Sequence, residues 1–308
     1  MPDYSGPSDK KTTYKIPFFD RISGSRYGFI ITLPSLLILL MVAVYPILRV
    51  IYMSMTEFDF TMQANFVGIK NFIEIFTDIN FFRYTRNSLI YTFGAVTISF
   101  TIGMIVALAL NKIQKFAELL RTIALWPWAI PPVVASITWK WMYNDVVGVL
   151  NDLLLRSGLI SQPLPWLSKS SLALPSLFIT HAWIDIPFVI VLLLAGLKGI
   201  PLELYEAAAI DGASPWKKFT QITLPLLKPT MMVTLLISTT FAFRTFDIVF
   251  TLTRGGPGDV TELLVTYIYN NAFLFLQFGY ASALSVIMVV ITILIVLFYI
   301  NTFKTNYY

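Results

Sequence analysis

Six stretches of this sequence are apolar for the roughly twenty residues that a helix needs to cross the hydrocarbon of a bilayer. They run over 27–53, 87–110, 119–143, 172–197, 230–250 and 280–303. In lipid every backbone N–H and C=O has to be satisfied inside the segment, so runs of this length predict helices and exclude an open sheet. The expected fold is an all-α integral membrane protein with six transmembrane helices spread over 27–303. A mean hydropathy of +0.73 with only 13% charged residues agrees with it. The first run follows a polar, basic leader, exceeds the apolar core of a signal peptide and lacks a small-x-small cleavage site after it. It reads as a retained helix behind an N-terminal tail over 1–26, and residues 304–308 form a short C-terminal tail.

Orientation follows from the position of the charges and not from their sum. With the N-terminus inside, 13 of the 22 Lys and Arg face the cytoplasm: Lys10, Lys11, Lys15, Arg21, Arg26, Lys112, Lys115, Arg121, Lys198, Lys217, Lys218, Lys228 and Lys304. That bias puts both termini inside. The net charge of +5 then needs no nucleic acid to explain it. The absence of cysteine excludes disulfides, thiolate metal sites and cysteine nucleophiles, and a single histidine, His181, cannot build a histidine metal cluster. The segment 253–278 lies outside. Within it Leu263 to Phe278 is apolar but broken by Asn270, Asn271 and Gln277, which predicts a surface or re-entrant helix.

One loop between spans, 201–229, is polar and written as two short helices. Pro201 suits a first helical position, Glu203 and Glu206 sit in early turns where the helix dipole favours them, and Gly212 ends the first helix. Ser214 caps a second that has Pro215 at its first position and runs through Trp216 and Phe219 until Leu224 and Pro225 stop it. An amphipathic element at the headgroups has the same pattern, so the residues alone leave both readings open.

The order of residues goes further. "EAAAIDG", Glu206 to Gly212, followed by "ITLP", Ile222 to Pro225, resembles the EAA signature loop of the permease subunits of binding-protein-dependent ABC importers. "VAVYPILRVIYMS" in the first span, "TRGGPGDVTELL" from Thr253 and "FGYASALSVI" from Phe278 resemble the sugar and glycerol-phosphate branch of that family. The resemblance implies that Glu206, Ala207, Ala208, Asp211, Gly212, Ser214 and Pro215 belong to coupling helices that sit in a groove of an ATPase. This chain has no G-x-x-x-x-G-K-[ST], so ATP and Mg are expected on a separate polypeptide and no cofactor on this one. The implied partners are a second permease subunit completing a heterodimer, two copies of the ATPase and an extracytoplasmic solute-binding protein.

Ionisable residues inside spans cost several kcal/mol unless they meet partners or a cavity. Asp185 lies in "HAWIDIPFVI", and Arg244 and Asp247 lie in "STTFAFRTFDIVF", spaced i, i+3 so that they can pair. A structural ion pair is one reading. A sugar path is the other, because a sugar needs hydroxyl partners together with aromatic rings for its C–H faces. Ser238, Phe241, Ala242 and Thr245 fall at i, i+3, i+4 and i+7 and form one helical face. In maltose-permease-like relatives the positions matching Ile184, Asp185 and Phe188, with those four, line the sugar site; Asp185 departs from a position that can be small there. At about 1.5 Å per residue, Asp185 stands about 20 Å above Lys198 and Arg244 about 24 Å above Lys228, which predicts that the two approach each other.

Trp126, Trp128, Trp139 and Trp141 in the third span read first as belt or packing residues and only second as stacking groups. His181 reads as a hydrogen-bonded residue near the outer surface. The function expected is a transport permease. A membrane enzyme of lipid-linked sugar metabolism would need an acid pair or metal cluster that the sequence lacks, and a proton-coupled secondary transporter leaves the 201–229 loop unexplained.

Overall fold

The computed structural model describes residues 24–58, 63–113 and 117–303. Of the expected tail over 1–26 only Gly24 to Arg26 fall within the described residues, and the tail over 304–308 lies outside them. The chain divides into two units, Met1–Tyr52 and Met53–Tyr308.

The first unit holds α1 (Gly24–Leu39), a π turn (Leu40–Val44) and most of α2 (Tyr45–Met53). Its described side chains are unburied, as a lone apolar helix requires. The π turn stands just before Pro46, where the pyrrolidine ring would meet the carbonyl of Val42 in an α-helix; widening the turn there lets the helix continue.

The second unit begins with a hairpin, β1 (Thr56–Phe58) against β2 (Ala64–Phe66), with Glu57 opposite Asn65. α3 (Lys70–Thr77) leads to α4 (Ile79–Lys112), which starts about two turns before the apolar run because Asp78 caps it by accepting from Asn80 N. α5 (Ala117–Leu125) and α6 (Pro132–Met142) follow, with a 3₁₀ turn over Trp126–Ala129 between them. The third span expected at 119–143 is therefore not one helix. Pro127, Pro131 and Pro132 remove three amide donors within six residues, and the residue before each proline is pushed away from helical geometry.

α7 (Val149–Arg156) lies in the next loop, α8 (Ser170–Lys198) fills the fourth expected span, and α9 (Leu202–Ile210) and α10 (Pro215–Lys218) form the polar loop. The second loop helix does not stop at Leu224 and Pro225 as the sequence suggested. A π turn over Phe219–Thr223 carries it without interruption into α11 (Leu224–Phe243). The device is the one seen before Pro46: the widened turn contains Gln221, whose carbonyl the Pro225 ring would otherwise strike. The fifth span thus occupies Pro215–Phe243 and not 230–250. It ends where the Thr245 hydroxyl donates to Phe241 O at 3.0 Å, in competition with the backbone, and α12 (Asp247–Leu252) starts anew. α13 (Leu264–Tyr269) runs through a third π turn to Leu274, short of the 278 expected, and α14 (Phe278–Thr302) is the last span. Among the described residues five helices are long and apolar enough to cross a membrane.

α4, α8 and α11 form the centre of this unit. At the end next to α9 and α10 they meet through Ala107, Leu110, Val189, Leu193, Leu197 and Leu227, all buried. The contact is close at Gly196, where an added Cβ would lie 2.6 Å from Thr230 Oγ1 and 2.8 Å from Leu227 Cδ1. At the opposite end the segment between α12 and α13 is fastened to the start of α4. Asn87 Nδ2 donates to Val260 O and Glu262 O at 3.2 and 3.1 Å, and Leu264 N donates to Ser88 Oγ at 2.8 Å. Burial pushes the Glu262 carboxyl up to about 7, and the nearby Asp259 adds to the rise.

Candidate functional site

Two groups of side chains carry the expectations drawn from the sequence. The first lies between the midpoints of α4 and α8 and the end of α11. Asp185 is buried and accepts from Ser99 Oγ at 2.8 Å. One turn earlier on α8, His181 Nδ1 lies 3.0 Å from Tyr91 OH on α4 and 3.2 Å from Thr245 Oγ1 beyond α11. His181 is thus hydrogen-bonded, as expected, but within the helical packing and not at a surface. Phe188 and Phe241 bring their ring centroids to 6.4 Å across α8 and α11.

The four-residue face of α11 divides. Phe241 is exposed and Thr245 half-buried, whereas Ser238 and Ala242 are buried, Ala242 in a cluster with Ala95 and Val96 of α4. Ile184 is half-buried and packs with the cluster around Tyr91 and Leu177. Among the described residues the hydroxyls of Ser238 and Thr92 are buried without a hydrogen-bond partner.

The expected approach of Asp185 to Arg244 is corrected. α11 ends at Phe243, so Arg244 leaves the helical face and is exposed, and it forms no ion pair with Asp185 or Asp247 among the described residues. The break also puts Asp247 at the start of a different helix, which removes the i, i+3 relation on which their pairing depended. The partner that Asp185 does have, Ser99, lies on α4, 86 residues away in sequence, and sequence reasoning missed it. A signal existed: Tyr91, Thr92, Ala95, Val96 and Ser99 place small and polar groups along one side of an otherwise apolar helix.

The second group is the loop. α9 closes with Ala213 N donating to Ala208 O and Gly212 N to Ala209 O, and Gly212 takes φ +72°, the left-handed conformation that only glycine adopts freely. Ser214 Oγ then accepts from Lys217 N at 3.3 Å and Pro215 opens α10. The two-helix reading holds up to this point. Tyr205 OH lies 2.8 Å from Thr223 Oγ1, which braces α9 against the π turn below α11. Glu206, Ala207, Asp211, Gly212, Ser214 and Pro215 are exposed and Ala208 half-buried. Ile210 and Trp216 are 88% and 73% exposed, an uncovered apolar edge on a polar loop.

Residues 99–303 match the family model described as "Binding-protein-dependent transport system inner membrane component". Among curated relatives, the trehalose/maltose transport system permease protein MalF of Thermococcus litoralis is 34% identical over 297 residues, covering 95% of this chain and 97% of that protein. The sulfoquinovosyl glycerol transport system permease protein SmoG of Agrobacterium fabrum is 35% identical over 275 residues, with 89% of each chain covered. Among solved structures, a chain of a bacterial ABC transporter involved in the import of the acidic polysaccharide alginate superposes with a TM-score of 0.79 at 23% identity, over 92% of this chain and 97% of that one.

Proposed function

This chain belongs to the family of inner membrane components of binding-protein-dependent transport systems, and from that premise we propose that it forms half of the translocation path for a sugar or sugar-like solute. It is a multi-pass membrane transport subunit and not an enzyme. In this reading α5 and α6 together make the sixth crossing as a broken helix, which a membrane tolerates where neighbouring protein covers the break. Both termini and the α9–α10 loop face the cytoplasm. The loop docks on a separate ABC ATPase, present in two copies, which carries the ATP and Mg; a second permease completes the heterodimer, and an extracytoplasmic binding protein delivers the solute. The names of the curated relatives, permeases of systems for trehalose/maltose and sulfoquinovosyl glycerol, support the solute class.

The observation that carries the sugar reading is the pairing of Phe188 with Phe241 at 6.4 Å beside Asp185 and Thr245. Two rings offer faces for C–H groups, and a carboxylate and a hydroxyl offer partners for sugar hydroxyls. Ile184, Ser238 and Ala242 back this surface, and Arg244 reaches the solute from the end of α11. In the assembled complex, Asp185→Asn and Phe241→Ala are each expected to lower solute uptake at least about tenfold at unchanged complex yield, the loss of roughly one hydrogen bond to a charge or one stacking partner. Uptake at the unaltered rate in both variants rejects the site. The orientation has its own test: a cysteine placed at Ser214 reacts with an impermeant thiol reagent only from the cytoplasmic side, and the chain holds no other cysteine to confuse the result.

A further inference from the structure

At the end of α11 more hydrogen-bonding groups converge than can be joined at one time. The amide of Thr245, which in a continuing helix would donate to Phe241 O, donates to Ala242 O instead at 3.2 Å. The Thr245 hydroxyl takes its place on Phe241 O at 3.0 Å. The same hydroxyl lies 3.2 Å from Nδ1 of His181 on α8. That nitrogen is shared in turn, because Tyr91 OH on α4 lies 3.0 Å from it. In either tautomer Nδ1 offers one site in the ring plane, a lone pair or a proton, so two hydroxyls compete for it.

The two arrangements differ in what the end of α11 presents. With Nδ1 on Tyr91, Thr245 keeps Phe241 O and leaves its own lone pairs open. With Nδ1 on Thr245, a bare nitrogen draws the proton away and frees Phe241 O, whereas a protonated one occupies a lone pair of the hydroxyl. The choice is made from the buried side. Tyr91 and His181 are both buried, with their rings edge to face at 5.6 Å and 81°, whereas Thr245 is half-buried and its neighbours Phe241 and Arg244 are exposed. One turn along α8, Asp185 makes a second link to α4 through Ser99, and the contact of His181 with Thr245 is the one that carries this packing to the end of α11.

We propose that His181 is a positioning residue of the solute path: shared between Tyr91 and Thr245, its Nδ1 fixes which partner the Thr245 hydroxyl takes and so which polar atoms the end of α11 offers a passing solute. His181 touches no solute itself and acts through Thr245. The inference rests on the reading given above, in which Thr245 lines the path for a sugar.

The test uses the complete complex with its ATPase, partner permease and binding protein, reconstituted in vesicles, and measures uptake per assembled complex of the best-transported member of a panel of mono- and disaccharides. His181→Phe keeps a ring against Tyr91 and removes the nitrogen, and is expected to lower uptake roughly tenfold, the upper range for one neutral hydrogen bond. His181→Asn, whose amide reaches the place of Nδ1, is expected to recover most of the loss. His181→Gln reaches the place of the other ring nitrogen, should behave as the phenylalanine variant and replaces it if that one assembles poorly. Thr245→Val alone should cost about as much as His181→Phe, and the double variant no more than either, because both remove the same interaction. Losses that multiply in the double variant, an asparagine variant no better than phenylalanine, or normal uptake in His181→Phe and His181→Gln while Thr245→Val is impaired, overturn the proposal and leave the path as described. Normal uptake in Thr245→Val overturns the place of Thr245 in the path and this inference with it, and a wild-type complex that moves no saccharide overturns the sugar reading on which both stand.

Discussion

Near the α9–α10 loop and at the level where α11 ends, the helices α4, α8 and α11 touch through chemically different surfaces. Next to the loop the contact is leucine, valine and alanine with Gly196 admitting the close approach of α11. At the level of the α11 end it is Tyr91, Ser99, His181, Asp185 and Thr245, joined by hydrogen bonds, with the hydroxyls of Thr92 and Ser238 left over among the described residues. A dry, close-packed contact has one good arrangement and transmits displacement as a unit. A hydroxyl-rich contact has several, and hydrogen bonds between helices in a membrane are worth only about 0.6 kcal/mol on average. The loop end of the bundle is thus built as a grip, and under the proposed path the middle is a place where partners can be exchanged as a hydroxylated solute passes.

The largest expected effect tests the grip. Leu227 is fully buried among Leu193, Leu197 and Leu110, so Leu227→Ala should cost about 3 kcal/mol and lower the thermal unfolding midpoint of the purified complex. A cost near zero would break the contrast, since it would mean that the loop end repacks as easily as the middle. Next comes the loop that the proposed function couples to the grip. Gly212 has φ +72° and nothing within 4 Å of an added Cβ, so Gly212→Val acts through backbone strain alone, about 2 kcal/mol. Solute-stimulated ATPase activity should fall about tenfold while the spans still insert and the complex still purifies.

A smaller effect is expected in the polar middle. Tyr91→Phe removes the hydroxyl beside His181 at a cost of under about 1 kcal/mol, and its transport rate should change by more than its unfolding midpoint. The reverse ranking, a large loss of stability with unaltered transport, would make the network a structural one. A pH-dependent effect lies outside both regions, at Glu262. Its carboxyl is raised from an ordinary 4.5 to about 7, so the folded segment favours the protonated form. Below about 4.5 folded and unfolded chains both hold the proton; as pH climbs from there toward 7 the unfolded chain releases it first, and the contribution to stability is lost across that window. Amide exchange over 253–264 should therefore be slower at pH 5 than at pH 8 after correction for intrinsic rates, and Glu262→Gln should flatten the difference.

Hydropathy made most of the spans legible, because in lipid a long apolar run has few alternatives to a helix. It read poorly where proline chemistry depends on a neighbouring turn. Pro225 looked like a stop and is passed by a π turn, whereas Pro127, Pro131 and Pro132 looked tolerable inside a span and break it. The loop was legible down to its glycine and its cap, since both act within a few residues. The polar middle was legible only in part: Asp185 stood out by its charge, but its partner Ser99 and the Tyr91–His181–Thr245 contacts join residues dozens of positions apart, and no local pattern encodes such pairs. Arg244 misled for a related reason, as its predicted face presumed a helix that ends one residue before it.

The π turn at Phe219–Thr223 makes the bundle behave as a screw with one surplus thread. It holds a residue more than an α turn would, and it joins α10 to α11 without a hinge, so the loop and Phe241 share a single rod. Taking out one residue there rotates everything beyond it by about 100°, draws it back by about 1.5 Å and returns the Pro225 ring to the carbonyl four residues before it. Such a rotation carries Phe241 away from Phe188 and brings another column of α11 round to face it. The angular setting of the proposed path is therefore written at the foot of the rod, roughly 27 Å from Phe241, and a change in the loop's footing can re-aim that ring without touching a residue beside it.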